Sequence, residues 1–177
     1  YYPVPTFDLD VNGDGKKDLV IGCNDMTVEV YLNSGAVGVS ALQNWTGVGK
    51  ISSSLNPFSA SGGGGCCVPP VPENASTPHS VNRYRAKPAV VDVNGDGRDD
   101  LVIAHTRCNG TDCKGAFDVF LNPGSAWSDT FNEWTYCSHE GRDPCNPFLD
   151  VIAGEFPSAT FHDYDGDGAK DLIFGDD

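Results

Sequence analysis

The chain has 177 residues, 39% of them apolar, which is enough for a domain with a real core. It carries 25 acidic residues against 11 basic ones, a formal net charge of −14, so nucleic acid is not an expected partner: phosphates require Lys and Arg. No run of about 18 apolar residues occurs, so no membrane-spanning helix is expected.

The sequence opens on Tyr1-Tyr2-Pro3 with no leader visible, as expected of a mature or trimmed product. A short strand is expected over Val4 to Leu9, followed by an acidic loop from Asp10 to Asp18 and a second, β-branched strand, Leu19-Val20-Ile21-Gly22. Val28-Glu29-Val30-Tyr31-Leu32 alternates apolar and polar and closes on the turn signal Asn33-Ser34-Gly35. Trp45-Thr46 marks a fourth strand. From about Lys50 to Arg85 the chain is irregular, with Gly62 to Gly65, Cys66-Cys67 and Val68-Pro69-Pro70-Val71-Pro72. That stretch reads as an insertion tied down by cysteine.

The same order then returns. Ala89 to Val91 leads into an acidic loop from Asp92 to Asp100 and the strand Leu101-Val102-Ile103-Ala104. Phe117-Asp118-Val119-Phe120-Leu121-Asn122-Pro123-Gly124 mirrors the segment ending at Gly35, and Trp134-Thr135 mirrors Trp45-Thr46. A third round begins with Ala159 to His162, a loop from Asp163 to Asp171 and Leu172-Ile173-Phe174-Gly175. Pro5, Pro88 and Pro157 are expected to introduce the first strand of each round. The fold class is therefore all-β, built of about two and a half four-stranded repeats. Repeat one covers about 1–85 including the insertion, repeat two about 86–155 and the partial repeat three 156–177.

The three loops suit Ca²⁺, a hard cation that takes six to eight oxygens at about 2.3–2.6 Å. In the first, Asp10, Asn12, Asp14 and Asp18 supply side chains at positions 1, 3, 5 and 9. Lys16 at position 7 is expected to offer its backbone carbonyl and point its amine away, while Gly15 permits the bend. The second loop matches with Asp92, Asn94, Asp96, the Arg98 carbonyl and Asp100. The third uses Asp163, Asp165, Asp167, the Ala169 carbonyl and Asp171. Ten of the 25 acidic residues stand at the ligand positions of these loops, and so many convergent carboxylates would repel one another without a cation. An EF-hand is excluded because position 12 is Ile21, Ile103 or Phe174 rather than glutamate, and strands flank the loop.

Seven cysteines point to an oxidising compartment. Cys108 with Cys113 and Cys137 with Cys145 bracket short segments and read as local staples. Cys23, Cys66 and Cys67 remain, so one thiol is free or pairs with another chain. A zinc site is the rival reading, but no C-x₂-C pair occurs. Asn44, Asn74 and Asn109 each begin an N-x-[ST] sequon, which together with the cysteines favours a secreted or cell-surface glycoprotein.

The loops and the strands after them resemble FG-GAP or VCBS repeats, the blades of integrin-α-type β-propellers. The resemblance covers most of the chain except the cysteine-rich insertion. It implies a Ca²⁺ loop between the first and second strands of each four-stranded blade. Two and a half blades are too few to close a propeller of 4–8, so the chain either belongs to a longer protein or does not close. The expected role is a calcium-stabilised structural or adhesive module that meets a protein partner, or copies of itself in a homo-oligomer or filament, through strand complementation. The alternative is a lectin-like propeller fragment whose Trp45, Trp127 and Trp134 stack on glycans. An enzyme is not expected: His79, His105, His139 and His162 fall in no catalytic motif, and no G-x-S-x-G or H-E-x-x-H is present.

Overall fold

The computed structural model describes residues 4–23, 28–35, 45–47, 82–109, 112–124, 134–139 and 142–177. Within them the chain is all-β, with ten strands in three antiparallel sheets, none of which closes on itself. Among the described residues no helix is long and apolar enough to cross a membrane.

Sheet one holds β1 (Val4–Leu9), β2 (Asp18–Gly22), β3 (Val28–Asn33) and β4 (Trp45–Gly47), paired in that order. Sheet two repeats the order with β5 (Asn82–Val91), β6 (Asp100–Asn109), β7 (Asp112–Leu121) and β8 (Thr135–Cys137). Sheet three contains β9 (Ser158–His162) and β10 (Asp171–Gly175). Each acidic loop joins the first strand of its sheet to the second.

The side chains alternate as strands require. Leu9, Val20, Val28 and Val30 of sheet one pack against Ala86, Leu101, Ile103 and Phe120 of sheet two. The opposite face of sheet two, with Val102, Ala104, Phe117 and Val119, meets Ala159 and Phe161 of sheet three. Sheet two is thus the middle layer, which explains why Leu101 to Thr106 is buried without a break. Sheets one and two approach closely at Gly22, where an added Cβ would lie 2.0 Å from the Ala86 carbonyl oxygen. The Ala86 amide donates to the Cys23 carbonyl at 2.9 Å just beside it.

Several boundaries differ from the sequence reading. β5 begins at Asn82, inside the stretch read as irregular, and residues 48–81 of the insertion lie outside the described residues. Pro88 sits well within β5 rather than among its first residues, whereas Pro5 is the second residue of β1 and Pro157 directly precedes β9. Proline is tolerated in β1 and β5 because, among the described residues, both are edge strands. The extra residues around Cys108 and Cys113 lengthen the β6–β7 hairpin, in which those two residues face each other.

Cys137 and Cys145 form a disulfide with Cα atoms 5.6 Å apart, as their spacing predicts. Cys23 and Cys113 are also disulfide-bonded. Cys66 and Cys67, with the side chain of Cys108, lie outside the described residues. So do Asn44, the sequon at Asn74, the side chain of Asn109, and His79 and Trp127.

Candidate metal centre

All three loops fold by one hydrogen-bond scheme, written here by position within the loop. The position-1 carboxylate accepts backbone N–H groups from across the bend: Asp10 from Asp14 and Gly15, Asp92 from Gly95, Asp96 and Gly97, and Asp163 from Gly166 and Gly168. The position-3 side chain accepts from position 5, in Asn12, Asn94 and Asp165, at 3.0–3.1 Å. Position 5 accepts from position 7, in Asp14, Asp96 and Asp167, at 2.8–2.9 Å. Glycines occupy positions 4 and 6, and φ at position 6 is 82°, 83° and 93° for Gly15, Gly97 and Gly168. Only glycine adopts that backbone readily.

The position-9 aspartate ties the loop to its sheet. Asp18, Asp100 and Asp171 each accept the N–H of position 2, from Val11, Val93 and Tyr164, at 2.8–2.9 Å. Asp18 and Asp100 are fully buried. Burial pushes both carboxyls up, even though each accepts two backbone N–H groups, and the neighbouring carboxylates Asp10 and Asp14, or Asp96 and Asp92, push the same way. A buried carboxylate facing two others is a setting in which a bound cation stabilises ionisation.

Loops one and two differ from loop three at position 7. The sequence reading has the Lys16 amine pointing away, but it folds back and donates to Asp14 at 2.8 Å. Arg98 likewise pairs with Asp96 and also donates from Nε to the Asn122 carbonyl at 3.0 Å. The cause is local: the acidic loop attracts the nearest cation, and the aliphatic stems lie against Gly35 and Gly124, which have no Cβ to obstruct them. The Lys16 hydrogen bond holds the Asp14 carboxyl below its usual range. Partial burial opposes ionisation of Asp96, yet hydrogen bonds from Asn94 and Arg98 hold it low as well.

Loop three has Ala169 at this position and an aspartate, Asp165, where loops one and two have Asn12 and Asn94. One oxygen each of Asp163, Asp165 and Asp171 lies within 4.8 Å of the other two, the one such acidic group among the described residues. Oxygens bound to a common Ca²⁺ at about 2.3–2.6 Å are at most about 5 Å apart, so the separation fits a shared ion. The donor set, all hard oxygen, suits Ca²⁺ or Mg²⁺ rather than a soft metal.

Two groups of functional side chains were not foreseen from sequence. The first is Asn33 and Asn122, at the ends of β3 and β7. Their backbone N–H groups donate to Oδ1 of Asp18 and Asp100 at 2.8 and 2.7 Å, and their side-chain amides to the Lys17 and Asp99 carbonyls. The signal lies in the sequence, since both asparagines occupy the same place in the repeat, where the residue pattern by itself predicts only a turn. The second is a buried network around Asp118. His105 Nε2 lies 3.1 Å from its Oδ2, and Tyr136 donates to the same oxygen at 2.9 Å. The His139 backbone N–H donates to Oδ1 at 2.8 Å. Burial works against the Asp118 charge, but these partners, His105 foremost, keep its carboxyl below the usual range. Comparison with protein-family models, with curated proteins and with solved structures finds no match to this chain.

Proposed function

We propose that the chain is an extracellular, calcium-stabilised structural module of the FG-GAP/VCBS type. In this reading its three sheets are propeller-type blades, two with four strands and one with two. It acts by assembling with a protein partner or with copies of itself, and not by catalysis. The observation that carries the reading is the threefold repetition of one acidic loop, in which position 1 accepts from position 6, position 3 from position 5 and position 5 from position 7, always between the first and second strands of a sheet. Asp10, Asn12, Asp14 and Asp18, with their counterparts in the other loops, would hold one Ca²⁺ each. The ion would offset the repulsion among carboxylates and fix each strand pair.

The exposed end of the stack supports assembly. Val20 and Val102 are fully buried, whereas the equivalent Ile173 is 41% exposed; Val11 is buried, whereas Tyr164 is 81% exposed. Such apolar exposure favours a contact with another surface. Disulfides at Cys23, Cys113 and Cys137–Cys145 support an oxidising, extracellular setting. Trp134 packs against the core between sheets one and two, which weakens the lectin alternative. His105 and Asp118 are about 2% exposed, which suits a structural network better than a reactive one.

The test is calcium stoichiometry by equilibrium dialysis together with light scattering on the intact protein. Three ions per chain, and particles larger than a monomer that shrink on chelation, are expected. A calcium-free protein at millimolar Ca²⁺, or a sharp monomer under every condition, would sink the reading.

A further inference from the structure

We propose that loops one and two bind their ions cooperatively, coupled through an ion pair between Lys17 and Asp99, while loop three fills independently. This rests on the reading above that each loop holds one Ca²⁺.

Lys17 and Asp99 occupy position 8 of their loops, between the ligand positions 7 and 9. Neither side chain is needed for an ion, and the two meet between sheets one and two: Lys17 Nζ donates to Asp99 Oδ2 at 2.7 Å. The backbone of each residue serves its own loop. The Lys17 carbonyl accepts from the Asn33 side-chain amide at 3.1 Å, and the Asn33 N–H donates to Oδ1 of Asp18 at 2.8 Å. The Asp99 carbonyl accepts from the Asn122 side-chain amide at 3.0 Å, and the Asn122 N–H donates to Oδ1 of Asp100 at 2.7 Å. An unbroken path of five polar contacts therefore runs from the position-9 aspartate of loop one to that of loop two. An apolar link lies behind it. Leu9 directly precedes loop one, Leu101 directly follows loop two, and both belong to one buried cluster.

The sign of the coupling follows from what an ion orders. An ion in loop one holds Asp18 as a carboxylate, and with it the Asn33 clasp, the Lys17 carbonyl and the amine that Lys17 presents to Asp99. Loop two is then partly ordered before its own ion arrives, and the entropy lost on binding falls. Two bound ions also repel, but at about 0.15 M salt the Debye length of about 8 Å mutes that repulsion between exposed sites. The Lys17–Asp99 pair is itself about half exposed, so this link carries no more than about fivefold in affinity. Loop three is the internal control. Its position 8 is Lys170, of the same sign as Lys17, and among the described residues no hydrogen bond or ion pair joins it to loop one or loop two.

Calcium titration of the intact protein, at buffered free Ca²⁺ and about 0.15 M salt, tests this by NMR. The N–H groups of Val11, Val93 and Tyr164, each bonded to the position-9 aspartate of its own loop, report the loops one by one. Val11 and Val93 should give Hill coefficients of about 1.2–1.4, equivalent to about two- to fivefold coupling, and Tyr164 a simple hyperbola. Lys17→Met and Asp99→Asn should each return the first two curves to hyperbolae. The exchanged pair, Lys17→Asp with Asp99→Lys, should restore the steepness, which a purely structural role for either side chain would not. Hill coefficients at or below one for Val11 and Val93 overturn the proposal. So does steepness that survives Lys17→Met, an exchanged pair that does not recover it, or an equally steep curve for Tyr164. Three bound ions without coupling would overturn this inference alone; no bound ions would overturn the reading beneath it too.

Discussion

Loops one and three share a motif but not surroundings. Asp18 is fully buried and accepts two backbone N–H groups, one of them from the far end of β3. Asp171 is half-buried and, among the described residues, accepts one. Lys16 neutralises part of loop one, while Ala169 leaves loop three to its own charges. A loop's internal hydrogen bonds are thus set by its own residues, whereas its rigidity and charge balance are set by the strand that clasps it.

Calcium removal should give the largest effect, because it acts on every loop at once. A site filled at 100 times its Kd adds about 2.7 kcal/mol, so chelation should lower Tm sharply, as read by circular dichroism. Unchanged melting after chelation would remove the ion from the comparison altogether. Next comes Gly22→Val. Its Cβ would meet the Ala86 carbonyl oxygen, and the overpacking should cost about 3 kcal/mol in chemical denaturation. Gly175→Ala, at the matching place in sheet three, has nothing within 4 Å and should stay within about 0.5 kcal/mol. Equal losses would mean that sheet three is packed like sheet one.

Asp18→Ala leaves two backbone N–H groups without their acceptor and should cost about 2–3 kcal/mol in calcium-free buffer, against about 1 kcal/mol for Asp171→Ala. A reversed order would refute the account of the clasp. The acid limb of stability sharpens the contrast between buried aspartates. Asp118 has a lowered carboxyl, so its contribution is fully present above the unfolded value of about 3.9 and is lost as pH falls toward the lowered folded value. Asp18 and Asp100, raised by burial, act with the opposite sign in the metal-free protein. Asp118→Asn should therefore flatten the fall in Tm between about pH 5 and pH 2, and an unchanged slope would show that His105 does not support the charge. The smallest effect belongs to Lys16→Ala, which makes loop one resemble loop three. Loss of this exposed pair should change stability by no more than about 0.5 kcal/mol. Calcium affinity measured by titration calorimetry should rise, because a competing cation is gone; a fall would show that Lys16 helps to shape the loop.

Much of this was readable because it is local. The carboxylates at Asp10, Asp92 and Asp163, the glycines at positions 4 and 6 and the alternation of β3 and β7 are all patterns within a few residues, and Cys137–Cys145 spans one short segment. What the chain alone determined is the all-β class, the three loop registers and the order of strands within each repeat, since turn chemistry and period-2 alternation act between near neighbours. Tertiary structure alone decided the rest. Pairing of β3 on β2 brings Asn33 to Asp18, and stacking of sheet two on sheet one makes Gly22 indispensable. The same stacking buries Asp118 with His105, and the absence of a third strand on β10 among the described residues leaves Asp171 open. Those contacts join residues that are distant in sequence, and no spacing rule specifies which strand lies beside another until the apolar faces have been buried together.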